Sequence, residues 1–138
     1  MRKIVSVMVF SLLSGLASTA AMAQESAPAT MLEKSYQGLP YLNGGVGDEE
    51  LAELKARQKD YNLKLVFAEK GGSYLADVNL LVLNTKGQAV FELASAGPIL
   101  LTKLPAGTYR VKVTANGQVQ QTTLGVSAKR RLERTFIW

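Results

Sequence analysis

The chain of 138 residues contains no histidine and no cysteine. Those two absences remove Ser-His-Asp and Cys-His nucleophiles, zinc sites built on imidazole or thiolate, and haem ligation through either side chain. They also leave the fold without disulfides. Only carboxylates, Lys, Tyr, Ser and Thr remain as chemical groups, and none is arranged in a recognisable catalytic motif. The chain is read as a non-enzyme that needs no cofactor and no metal.

The chain begins with a short basic stretch, Met1-Arg2-Lys3, followed by an apolar run from Ile4 to Ala20 and then Ala21-Met22-Ala23 before Gln24. That is the layout of a secretory signal peptide with a small-x-small cleavage site after Ala23. Five Ser or Thr residues interrupt the run, whereas a stable spanning helix wants about 20 predominantly apolar residues. The expectation is a periplasmic or secreted protein with no stable membrane insertion after cleavage. Cleavage leaves 115 residues, with fourteen Lys and Arg against eleven Asp and Glu. A chain of that length is one domain and can bury a core without covalent staples.

Composition divides the remainder into a leader with a Gly-rich loop (residues 24–47), a helix (48–60) and a β-sandwich domain (61–138). The leader is expected to begin disordered. Leu39-Pro-Tyr-Leu-Asn-Gly-Gly-Val-Gly47 is expected to lack regular structure, because three glycines and a proline disfavour it. From Asp48 the pattern is helical: acids crowd the first turn, basic residues gather in the last, and Leu51 and Leu54 make a thin apolar stripe. Such a helix lies on the outside of something else.

After Asp60 the period changes to two. Tyr61, Leu63, Leu65 and Phe67 share one parity, as do Val78, Leu80 and Val82. Asn84-Thr-Lys-Gly87 suits a type I turn leading to Gln88–Leu93. Ile99–Lys103 is a short strand, and Leu104-Pro-Ala-Gly107 turns the chain again. Asn116-Gly117 predicts a two-residue type I′ hairpin. That loop pairs Ala115 with Gln118, Val113 with Gln120, Val111 with Thr122 and Tyr109 with Leu124. It points Arg110 and Lys112 to water, and the polar second strand suggests an edge or a short, twisted pairing. With Arg130–Trp138 as the last strand, the count is seven, and the expected fold is all-β: an antiparallel sandwich of prealbumin or immunoglobulin type with one N-terminal helix.

Two runs carry a resemblance: Ala76-Asp-Val-Asn-Leu-Leu-Val-Leu-Asn-Thr-Lys-Gly87, and Gly97-Pro-Ile-Leu-Leu-Thr-Lys-Leu-Pro-Ala-Gly-Thr-Tyr-Arg-Val111 with the strand continuing to Val113. Tyr74–Trp138 resembles the carboxypeptidase regulatory-like domain, a seven-stranded transthyretin-like (prealbumin-like) sandwich. The chain is also similar to small exported proteobacterial proteins that carry this domain. The resemblance implies a fold through its Leu-Pro-x-Gly-x-Tyr element, and it implies no active site. In metallocarboxypeptidases the chemistry belongs to a neighbouring zinc-dependent domain absent from this sequence.

Several groups invite a functional reading. The carboxylates Asp48, Glu49, Glu50 and Glu53 have the composition of a calcium or acid–base site, but they read better as the acidic first turns of a helix. Gly44-Gly45-Val46-Gly47 before a helix resembles an anion loop, yet the acids that follow would repel a phosphate. Tyr36, Tyr41, Tyr74 and Trp138 are candidates for an aromatic contact surface. Lys129, Arg130, Arg131 and Arg134 are candidates for holding phosphate or carboxylate groups of the envelope, with Arg110 and Lys112 as a second basic pair. The expected function is an exported, non-catalytic module binding a protein or envelope component, with no role for nucleic acid, as a monomer or an edge-paired homodimer. The alternatives are a transthyretin-like carrier of a small apolar ligand and a carboxylate-dependent hydrolase.

Overall fold

The computed structural model describes residues 31–138, so the segment expected to be a signal peptide and the first residues after it lie outside the described part. Among the described residues nine strands form two sheets, and one short helix lies on the first. In chain order the strands are β1 (Lys34–Tyr36), β2 (Leu39–Gly44), β3 (Leu63–Ala68), β4 (Val78–Leu83), β5 (Ala89–Ala96), β6 (Ile99–Thr102), β7 (Gly107–Ala115), β8 (Gln118–Val126) and β9 (Leu132–Ile137). The first sheet has the order β1-β2-β6-β3-β9, and the second β5-β4-β7-β8. The helix α1 spans Asp48–Arg57 and tightens into a 3₁₀ turn at Gln58–Asp60, so the helix predicted to residue 60 ends as one α segment at Arg57.

The seven strands read from the sequence all form, but the count is nine, because the leader supplies β1 and β2. The expectation of an irregular Leu39–Gly47 is thereby corrected. Gln37 and Gly38 both take positive φ, 47° and 83°, and make the two-residue loop that folds β2 back on β1. Asn116 and Gly117 do the same between β7 and β8, at 51° and 74°. Gln37-Gly38 was harder to see because Asn, not Gln, is the favoured partner of Gly in such turns. β2 then pairs antiparallel with β6, with Tyr41 opposite Thr102 and Gly44 opposite Ile99.

A second correction concerns direction. β9 pairs parallel to β3, Leu63 opposite Leu132 through Ala68 opposite Ile137, so the sandwich is not wholly antiparallel. The chain leaves the second sheet at Val126 and crosses to the first through residues 127–131. It therefore enters the first sheet at the end where β3 begins.

The central strands of the first sheet, β3 and β6, are buried on both faces. Leu63, Leu65, Phe67 and Leu100 meet Leu80, Val82, Phe91, Val111 and Val113 of the second sheet in the main core. The opposite face carries Leu42, Val66, Ile99 and Leu101, over which α1 lays Leu54. All four residues of β6 are buried, in keeping with an uninterrupted Ile-Leu-Leu-Thr run. The architecture is thus helix on sheet on sheet. Tyr61, expected on the face of Leu63 and Phe67, packs instead on the helix side, because the chain bends at Asn62 before β3 starts.

Candidate functional site: a basic groove at one end of the sandwich

β3 and β9 begin, and β6 and β8 end, at the same end of the sandwich. There the 3₁₀ turn, the residues after β6 and the β8–β9 connection enclose an open groove of about 510 Å³. Its floor includes the buried Tyr61 and Asn62, and its rim carries five exposed cations: Lys59, Lys103, Lys129, Arg130 and Arg131. Asp60 is the one carboxylate among the lining residues. The ion pairs among the described residues, Arg57–Glu53 and Lys64–Glu133, use none of these five cations.

Asn62 fixes this end. Its side-chain oxygen accepts from the Leu104 N–H at 2.9 Å, and its amide nitrogen donates to the Leu104 carbonyl at 2.7 Å and to the Ser127 carbonyl at 3.2 Å. Its own backbone carbonyl accepts from the Leu132 N–H at 2.9 Å. One buried amide thus ties the start of β3 to the turn after Lys103 and to both ends of the segment that holds Lys129, Arg130 and Arg131. Beside it Tyr61 donates its phenol proton to the Glu33 carboxylate. Burial first, then this bond and the Glu33 charge, push the Tyr61 phenol up to about 12, against a smaller opposing pull from Arg57. Tyr109, whose phenol donates to the Pro105 carbonyl at 2.6 Å, is also raised, by burial.

The structure brings Arg130 and Arg131 together with Lys129 on the groove rim and adds Lys59 and Lys103, which the sequence reading did not single out. Arg134 sits apart on β9 and does not line the groove. Arg110 and Lys112 point outward from β7, as expected, on the face of the second sheet remote from the first, away from the groove. The tyrosines and tryptophan do not form one surface. Tyr41 is buried, edge-on to Phe91 at 5.1 Å, and half-buried Tyr36 lies 5.3 Å from the same ring. Half-buried Trp138 packs near Phe67 and Phe136 and donates its indole N–H to the Gln118 carbonyl at 3.3 Å. Tyr74 alone of the four is exposed.

Glu50 and Glu53 are already engaged. Glu50 accepts from the Gly45 and Val46 N–H groups, each at 3.1 Å, which fills the Gly-rich loop with the chain's own carboxylate. A Cβ at Gly44 would lie 2.6 Å from Met31 Cε and 2.8 Å from that carboxylate oxygen, so both side chains would have to shift to admit one. Glu53 receives the Met31 N–H on both oxygens at 2.8 and 2.9 Å and pairs with Arg57, which in turn donates to the Met31 carbonyl at 2.7 Å. No group of three carboxylates able to hold a metal ion occurs among the described residues, nor does a helix long and apolar enough to cross a membrane.

Residues 60–133 match the family model described as the Rhizobiales growth-associated tandem repeat domain. The match spans more than half of the chain, and the chain belongs to that family. It runs from the end of the 3₁₀ turn into β9, so Asn62, Lys103 and Lys129–Arg131 fall inside it, while β1, β2 and α1 fall outside. No curated protein matches the chain.

Proposed function

We propose that this member of the Rhizobiales growth-associated tandem repeat domain family is an exported, non-catalytic binding module that holds an anionic component of the cell envelope in its basic groove. The observation that carries the reading is the groove rim: five exposed cations face one carboxylate, on loops fixed by a buried asparagine. Cations held apart on a rigid frame keep their charge available to a ligand, and arginine in particular offers a bidentate fork to phosphate or carboxylate. Export is supported by the leader layout of residues 1–23.

The sandwich is proposed to be of the carboxypeptidase regulatory-like kind. The seven strands β3–β9 lie within the span that carries the resemblance together with the strand before it, and Leu104-Pro-Ala-Gly-Thr-Tyr109 closes on itself through the Tyr109–Pro105 bond. In that element proline sets the turn and the tyrosine ties it to the next strand, which is a scaffold role. Neither a hydrolase nor a small-molecule carrier gains a specific observation. The helix carboxylates Glu50 and Glu53 are engaged in internal hydrogen bonds, and the core between the sheets is lined by closely packed Leu, Val and Phe side chains.

The test is co-sedimentation of the mature chain with isolated envelope fractions, beside a variant with Lys103, Lys129, Arg130 and Arg131 changed to Gln. The parent should be retained and released by salt, and the variant should stay soluble. Equal retention of both would remove the groove from the account.

A further inference from the structure

The two sheets end in four edges, and three are guarded against further pairing. β1 is three residues long and starts with Lys34. β5 breaks register with β4 at two places and carries Glu92. β9 presents Glu133 and Arg134. Short length, bulges and charges are the ordinary means by which an edge avoids another strand. β8 has none of them: Gln118-Val-Gln-Gln-Thr-Thr-Leu-Gly-Val126 is nine residues with no charge, no proline and an unbroken register against β7.

The free backbone groups of β8 can be assigned. In a two-residue hairpin the closing pair, here Ala115 and Gln118, exchanges both hydrogen bonds, and hydrogen-bonded pairs recur at every second residue. The even-numbered residues of β8 therefore bond to β7. Val119, Gln121, Thr123 and Gly125 turn their N–H and C=O groups outward, and no other backbone or side-chain partner meets them among the described residues.

Gly125 adds an independent observation. Glycine inside a strand weakens it and marks a bulge or a close approach of another group. Here there is no bulge and no positive φ, and a Cβ would meet nothing within 4 Å. The isolated chain gives this glycine no reason. On the same face of the same strand Val119 is 54% exposed.

We infer that β8 is a self-pairing edge whose occupant is β8 of a second copy, running antiparallel about a two-fold axis at Thr122. That register engages all four outward residues of each copy: Val119 opposite the second copy's Gly125, and Gln121 opposite its Thr123. The exposed valine then lies over the one position on that face without a side chain, which accounts for both residues at once. The absence of charge on β8 suits a two-fold contact, in which any charged residue near the axis would meet its own like. The result is one continuous eight-stranded sheet.

The chain has no cysteine, so single cysteines report the register directly. Thr122→Cys places two thiols in a directly opposed, non-hydrogen-bonded pair at about 4.5 Å between Cα atoms, within disulfide reach. Gln118→Cys places them about eight residues apart along the strand, roughly 27 Å. Under mild oxidation of the mature chain T122C should form a covalent dimer and Q118C should not. In sedimentation equilibrium the parent should dimerise. Gly125→Thr should keep or raise the melting temperature of the monomer while weakening the dimer, and the pair Gln121→Lys with Thr123→Lys should weaken it roughly tenfold or more through opposed like charges. A parent that stays monomeric, a dimer indifferent to G125T and to the lysines, or equal cross-linking of T122C and Q118C would overturn the inference, including where a foreign strand occupies the edge instead.

Discussion

At the scale of single residues, Asn62 has the widest reach. It is 6% exposed, and its side chain satisfies the N–H and C=O of Leu104 and the C=O of Ser127. Replacing it by alanine leaves those groups buried without partners, which costs about 2–3 kcal/mol. Asn62→Ala should therefore lower the unfolding free energy from denaturant titration by that amount and speed amide exchange at Leu104 and Leu132. A loss under about 0.5 kcal/mol, the usual effect of a surface change, would mean the loops are held by something else. Nothing in the sequence marked this residue. It sits among apolar alternation at an outward parity, and its partners lie 42 and 65 residues away.

Tyr61 carries the pH dependence. Its folded pKa, about 12, lies above the ordinary tyrosine value near 10. The neutral phenol is thus favoured by folding, and its stabilisation is whole below pH about 10 and lost as pH rises toward 12. Tyr109, raised by burial, adds in the same sense. Alkaline unfolding followed by circular dichroism should show this loss, and Tyr61→Phe should retain more of its own neutral-pH stability across that range. Superimposable pH profiles for parent and variant would contradict the assignment.

At the scale of elements, the segment before Asp60 is part of the sandwich's packing. Leu54, 2% exposed, packs in the cluster of Leu42, Tyr61, Val66, Ile99 and Leu101, and β2 fills the first sheet beside β6. Leu54→Ala should cost about 2–3 kcal/mol in a single cooperative transition. A negligible cost would show that the helix is a detachable appendage. The position of this helix was legible from its acidic start, basic end and Leu51–Leu54 stripe. The surface beneath it was not, because β2 lies in a Pro- and Gly-containing stretch where local preference argues against a strand. Pairing with β6 and burial of Tyr41 and Leu42 override that preference. Conversely, the Asn116-Gly117 hairpin was legible to the residue, since its loop type fixes the register and the polar β8 announces an edge.

At the scale of the whole molecule, the two-sheet all-β architecture was readable from period and turn spacing alone. The helix layer, the two added strands and the parallel β3–β9 pairing were not, because each depends on contacts between segments far apart in sequence. The same holds for the groove. The Lys129-Arg130-Arg131 run was visible as a charge cluster, but Lys59 and Lys103 join it only when the 3₁₀ turn and the end of β6 reach the same end of the sandwich. Charges gathered this way attract polyanions, and the attraction falls as salt screens it over a Debye length of roughly 10 Å at 0.1 M.

The most direct measurement is calorimetric titration of residues 24–138 with inorganic polyphosphate, and with neutral dextran as control, over a range of salt concentration. Polyphosphate should bind with an affinity that falls steadily with salt, dextran should not bind, and affinity should drop roughly tenfold or more when Lys103, Lys129, Arg130 and Arg131 become Gln. Absence of polyphosphate binding at low salt, or equal affinity of the parent and that variant, would contradict the proposed binding groove.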